Sequence, residues 1–250
     1  MKIVLGTAIW GRDELTRIVL SYYKELSRYY DLELIAIGSE GDVSRSIAYD
    51  CGWDYIEHLN YPLTDKFNML SRIAGDYDNM DAFMLIGSDD LVNRHVFNHY
   101  FKTYNRDTQH MLGFEKCYFY DACLNKLYDF NGYKIMNGSS IGAGRIFSRS
   151  VLEKADYQLW IPSDKNRGLD INCSKRLKEL NIPEYAISSM SPEAVIIDVK
   201  TDENLNSITR ISPKITEVDV KKAWQTFPIQ MDSIRKLFKS QVTEFNYTNN

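Results

Sequence analysis

The sequence predicts an α/β fold: a mostly parallel sheet flanked by helices on both faces, a smaller β element after residue 93, and a helical extension at the C-terminus. Up to residue 90, short apolar runs alternate with amphipathic segments of helical period. That alternation is the pattern of crossover units wound around a parallel sheet. Beyond residue 93 the texture turns aromatic and strand-like, and beyond Asp219 it turns helical again.

The elements follow in order. Lys2 to Ala8 is apolar and too short for a buried helix, so it is a strand. From Asp13, a candidate N-cap, residues Leu15, Ile18, Val19, Tyr22 and Leu26 recur at helical spacing. Leu32 to Ile37 is a second strand, stopped by Gly38-Ser39-Glu40-Gly41-Asp42. A helix from about Ser44 to Asp50 ends at Gly52, and Trp53 to Glu57 is a third strand. Phe67, Leu70, Ile73 and Ala74 make one face of another helix, and Ala82 to Ile86 is a fourth strand. Downstream, His110 to Asp121 reads as strand and Leu127 to Phe130 as its partner. Asn137 to Gly144 reads as a loop, Ser148 to Ala155 and Leu169 to Leu180 as helices, and Ala194 to Val199 as a late strand.

Composition bounds the function. The 250 residues carry a net charge of −4, with no basic stripe of the kind a general polyanion binder shows. Cys51, Cys117, Cys123 and Cys173 form no C-x-x-C pair, so structural zinc is not expected and the thiols read as reduced. No apolar run reaches membrane-spanning length and the start lacks a signal-peptide core, so a cytoplasmic location is expected. Val220, Ala223, Trp224 and Phe227 share a face beside Lys221 and Lys222. That face reads as packing on the domain or on a second subunit of a homo-oligomer, with peripheral membrane attachment as the alternative.

In an open α/β sheet, ligands bind at the edge where the parallel strands end. The exits Thr7 to Arg12, Gly38 to Asp42 and Gly87 to Asp90 therefore converge on one crevice. Asp89 and Asp90 repel one another unless solvated, hydrogen-bonded or bound to a cation. Their hard oxygens suit Mg²⁺ or Mn²⁺ bridging to a diphosphate; the competing reading makes one of them the cap of a helix near Leu91 to Lys102. Glu40 and Asp42 can accept hydrogen bonds from a base or ribose, or Asp42 can cap the helix after it. Arg12, Lys66 and Asn68 are candidate contacts to diphosphate or base, or plain surface residues. Asp170 opens a helix, where it can take a proton from a hydroxyl or simply complement the helix dipole. No Walker A, G-x-S-x-G or dinucleotide fingerprint is present.

With these residues in place, the segment order resembles the GT-A glycosyltransferases, especially the family 2 type. The resemblance runs over residues 1–180. It places Thr7, Ala8 and Arg12 on the nucleotide loop, and Gly38, Ser39 and Glu40 on the base-binding turn. Lys66 and Asn68 fall on the helix before the metal strand, and Ser88, Asp89 and Asp90 in the metal motif. The segment Ser140 to Arg149 is similar to the family's acceptor-side loop and strand, and Asp170 stands where the family carries its base. The resemblance implies a domain over 1–200, with a nucleotide-binding half (1–93) and an acceptor half (94–200), followed by a helical extension over 201–250. It implies a UDP- or GDP-sugar donor, Mn²⁺ or Mg²⁺, inversion, and a hydroxyl acceptor that is a polysaccharide, a protein, a small molecule or a modified nucleic-acid base. The chain departs from the pattern at Gly87, where the family has its first Asp, at Leu169 before Asp170, and in having no histidine beyond His110. A non-catalytic scaffold and a sugar nucleotidyltransferase are the alternatives.

Overall fold

The computed structural model describes residues 1–130, 139–188, 193–201, 208 and 215–247, with side chains through residue 238. Of the expected Asn137 to Gly144 loop, Asn137 and Gly138 lie outside the described residues, as do 202–207, 209–214 and 248–250 of the C-terminal segment.

The first half is the predicted alternation: β1 (Ile3–Ala8), α1 (Asp13–Leu26), β2 (Leu32–Gly38), α2 (Asp42–Asp50), β3 (Asp54–Glu57), α3 (Leu63–Gly75) and β4 (Ala82–Gly87). These strands lie parallel in the order β3-β2-β1-β4. Burial on both faces makes β1, β4 and the second half of β2 near-continuous apolar runs, whereas the edge strand β3 is exposed or half-buried along its length. Ile3 and Leu5 join one core with α1 and α2, while Val4 joins a second core with Leu70 and Ala74 of α3. At the end of α2, Gly52 is left-handed (φ 72°). Its N–H reaches the Tyr49 carbonyl and that of Trp53 reaches Ala48, so the last carbonyls of α2 are satisfied. Two helix starts differ from expectation. Asp13 and Asp42 are first helical residues, and the caps are Arg12 and Gly41, both with positive φ.

After β4 come β5 (Asp90–Val92), α4 (Arg94–Thr103), β6 (Met111–Phe114), β7 (Cys117–Asp121), β8 (Lys126–Phe130), β9 (Arg145–Ser148), α5 (Arg149–Lys154), α6 (Leu169–Glu179), β10 (Glu184–Ile187), β11 (Ile196–Lys200) and β12 (Ile215–Val218). The run His110 to Asp121 is divided. β6 extends the first sheet in the order β10-β6-β9-β4-β1-β2-β3, with β9 antiparallel to both its neighbours. β7 belongs to a second sheet, β12-β8-β7-β11-β5. Asn93, not an aspartate, caps α4 by accepting from the Val96 N–H, which removes the capping reading of Asp89 and Asp90.

Two helices follow, α7 (Lys221–Thr226) and α8 (Pro228–Tyr247). Pro228 is tolerated because the first helical position has no intrahelical N–H bond to lose. Ala223 and Phe227 are fully buried and Val220 and Trp224 pack on the same core, so this face is used for packing on the domain. Among the described residues no helix is long and apolar enough to cross a membrane.

Candidate functional site

The three strand exits do meet, and hydrogen bonds tie them together. Past β1 the chain turns through two left-handed residues, Gly11 (φ 59°) and Arg12 (φ 53°). For Arg12 that conformation costs about 1–2 kcal/mol. Its guanidinium explains the outlay, since Nη1 donates to Asp89 Oδ2 (2.7 Å) and Nη2 to Ser88 Oγ (3.1 Å). From β2, Glu40 Oε2 accepts from the Gly11 N–H (2.9 Å) and from Ser44 Oγ (3.2 Å), so it pins the first loop to the second.

Asp89 and Asp90 are joined by a residue that linear reading of the motif did not single out. β5 pairs antiparallel with β11, placing Asp198 opposite Asp90. One carboxylate oxygen from each of Asp89, Asp90 and Asp198 lies within 4.8 Å of the others. Gly87 shows why the third acid comes from elsewhere. A Cβ on Gly87 would sit 2.7 Å from Asp89 Oδ1 and 2.8 Å from Asp90 Oδ2, so a side chain where the GT-A pattern has its first Asp would have to displace both carboxylates. The sequence did hold a signal: Asp198 is the one charged residue inside the apolar run Ala194 to Val199.

The cluster is electrostatically divided. Burial works to raise Asp89, but Arg12 and Lys200 outweigh it and hold this carboxyl below its usual range. Burial, with Asp198 and Asp89 nearby, pushes Asp90 well above that range. Burial also pushes Asp198 up to about 6, although Lys200 Nζ stands 2.5 Å from its Oδ2. Asp198 Oδ1 is buried with no hydrogen-bond partner among the described residues. Three converging carboxylates, one of them with an oxygen unpartnered among the described residues and another, Asp90, held towards its neutral form by burial and its acidic neighbours, fit a divalent cation such as Mg²⁺ or Mn²⁺. Tyr23 steadies this ledge: its hydroxyl donates to the Asp90 carbonyl (3.0 Å) and accepts from the Val92 N–H (3.0 Å).

The other sequence candidates fall around this centre unequally. Thr7 is fully buried near the end of β1, with Oγ1 unpartnered among the described residues, and Ala8 closes the strand. Gly38 has no room for a Cβ, which would lie 2.6 Å from Ser44 Cβ. Ser39 Oγ accepts from Lys66 Nζ (3.0 Å), which also reaches Asn60 Oδ1 (2.9 Å). Lys66 is fully buried, and desolvation pushes it down to about 8 against the pull of Glu40 and Glu57. Asn68 stands apart. Its amide donates to the Trp160 carbonyl (2.8 Å) and accepts from the Trp160 N–H (2.9 Å), which ties α3 to the segment before α6.

Asp170 lies in the first turn of α6, and its Oδ2 accepts from the Gly142 N–H (3.1 Å). A Cβ on Gly142 would fall 2.3 Å from Asp170 Oδ1, so any side chain there has to displace that carboxylate. Buried Arg145 fixes the arrangement by donating to the carbonyls of Asp170 (3.0 Å), Ser140 (2.7 Å) and Ile141 (3.1 Å). The buried Cys117 thiol is pushed up by desolvation and by Asp198, Asp90 and Asp170 together, so the acidic cluster and Asp170 share one neighbourhood.

No protein-family profile matches the chain, and no curated protein matches it by sequence. Comparison of folds does find relatives. The whole chain aligns with 74% of the solved TarS 1-349 from S. aureus, a glycosyltransferase of GT-A-like fold, at a TM-score of 0.51 and 10% identity. At that identity the likeness concerns the fold, and it shows that this chain has a glycosyltransferase-like, GT-A-like architecture.

Proposed function

We propose that the protein is a glycosyltransferase that transfers a sugar from a UDP- or GDP-type nucleotide-sugar to a hydroxyl acceptor, with inversion. The observation that carries this reading is the convergence of Asp89, Asp90 and Asp198 at the C-terminal edge of the parallel strands, with a buried Asp198 oxygen that has no hydrogen-bond partner among the described residues. These three residues would hold Mg²⁺ or Mn²⁺, which would neutralise the departing nucleoside diphosphate. Residues 1–93 take the nucleotide: Glu40, Ser39 and Lys66 line the base side, Thr7, Ala8 and Gly38 the strand ends, and Ser88 and Arg12 the phosphate side. Residues 94–200 take the acceptor, and 201–250 form the helical extension. Asp170 removes the acceptor proton as the new bond to the anomeric carbon forms and the bond to phosphate breaks. Attack from the side opposite the leaving group inverts that carbon.

One observation favours a non-catalytic reading instead. Arg12 and Lys200 already pair with Asp89 and Asp198, so much of the acidic charge is balanced from within. Calorimetric titration with UDP and GDP, with and without Mn²⁺, separates the two. Micromolar binding of one nucleotide only when Mn²⁺ is present is expected. Absence of binding under both conditions would remove the donor reading and leave a scaffold.

A further inference from the structure

A second cavity, of about 300 Å³, lies between the segment 161–168 and α6, and it is lined in part by Ser163, Lys165, Arg167, Gly168, Asn172 and Lys175. Three of these side chains are cations and none is an acid. Asp164 and Asp170, the nearest carboxylates in sequence, are not among the lining residues. Lys165, Arg167 and Lys175 are exposed, and none forms an ion pair with a carboxylate among the described residues. Elsewhere on the molecule exposed arginines do find acids, as Arg28 finds Glu25 and Arg45 finds Asp42.

The cavity is built rather than incidental. The Asn172 amide accepts from the Ile161 N–H (2.8 Å) and donates to its carbonyl (3.0 Å), which clamps the segment to α6. Thr64 and Asn166 bind the same segment to α3. α6 starts at Gly168 without a side-chain cap, so the positive end of the helix faces the same space. The same first turn carries Asp170.

From this convergence we propose that the acceptor carries an anionic group, a phosphate or carboxylate, close to the hydroxyl that is glycosylated, and that the cavity of Lys165, Arg167 and Lys175 holds it. The proposal rests on the donor and base assignments above. The donor diphosphate has its own partners at the acidic cluster and Arg12, so the anion held here belongs to the second substrate.

The test uses the full chain and α-glycerophosphate as probe, with glycerol as its neutral control. Binding is followed by ³¹P NMR titration in the wild type and in Lys165→Gln/Arg167→Gln, beside calorimetry of UDP with Mn²⁺ on both proteins. The expected result is saturable α-glycerophosphate binding that excess UDP and Mn²⁺ do not displace. It should weaken about tenfold or more in the double variant, as loss of two charge-assisted hydrogen bonds requires. Nucleotide affinity should stay unchanged. No binding by the wild type, or equal binding by wild type and variant, would overturn the anion site. Displacement by UDP would reassign it to the donor. Anion binding that depends on Arg167 without any nucleotide binding would instead sink the donor reading, and with it the assignment to an acceptor.

Discussion

The parallel strands β1 to β4 and the second sheet contribute to the same centre in different ways. The first region uses α1 and α2 each to return the chain to the adjacent parallel strand, and α3 to carry it back across the sheet and place β4 on the other side of β1. Its polar exits are contiguous loops, so the residues that meet are those following each apolar run. The second sheet draws β5 from beside the metal motif, β7 from the middle of the chain and β11 from near residue 200. It contributes single side chains, Asp90 from β5 and Asp198 and Lys200 from β11, strands whose order in sequence does not announce their pairing. Local alternation thus builds the parallel-strand edge, while long-range pairing completes the acidic cluster.

The comparison is most easily broken at Asp198. Asp198→Ala removes one of three converging carboxylates, and Mn²⁺-dependent UDP affinity is expected to fall at least about 100-fold by calorimetry. If affinity survives, the second sheet is not part of the site and the parallel strands suffice. Next in size is Gly142→Ala. The new methyl must displace the Asp170 carboxylate, and a misplacement near 1 Å costs about 100-fold in kcat. Donor affinity, measured in parallel, is expected to hold. Loss of donor affinity together with kcat would mean that the acceptor side is not separable from the nucleotide side.

Tyr23→Phe probes the tie between the regions. It leaves the Val92 N–H buried without its partner, and urea unfolding is expected to show a loss of about 1–3 kcal/mol. A change near zero would mean that the β5–β11 ladder alone holds the ledge.

The smallest effect is confined to the parallel side. Lys66 titrates at about 8 in the folded protein against 10.5 for an ordinary lysine. Between these values the unfolded chain binds more protons than the folded one, so stability rises with pH from about 8 to about 10.5. Below that window both states are protonated and the full cost of burying the charge is present. Melting temperatures across this range should climb in the wild type and stay level in Lys66→Met. A level wild-type curve would show that Ser39, Asn60 and the two glutamates already compensate the buried ammonium.

Much of the parallel-strand region was legible because periodicity and turn chemistry are local. The boundaries of β1, β2 and β4, the glycine stop after α2, and the meeting of the loops after Ala8, Gly38 and Gly87 all follow from which residues alternate and where the apolar runs end. Asp89, Asp90 and Asp170 could be singled out for the same reason, as carboxylates at the end of a strand or the start of a helix. The split of His110 to Asp121 between two sheets could not be read, because β propensity says that a segment is extended without saying which edge it joins. Arg12 could not be told from a surface residue until its left-handed backbone turned the guanidinium onto Asp89 and Ser88. Asn68, by contrast, was drawn inward to the Trp160 backbone. The sequence by itself determined the parallel α/β framework and the edge at which its polar strand exits meet, since hydrophobic period and crossover handedness act over neighbouring elements. Only the tertiary structure decided that Asp198 completes the acidic cluster, because a pairing between strands about a hundred residues apart depends on the packing of the whole chain, not on any local spacing.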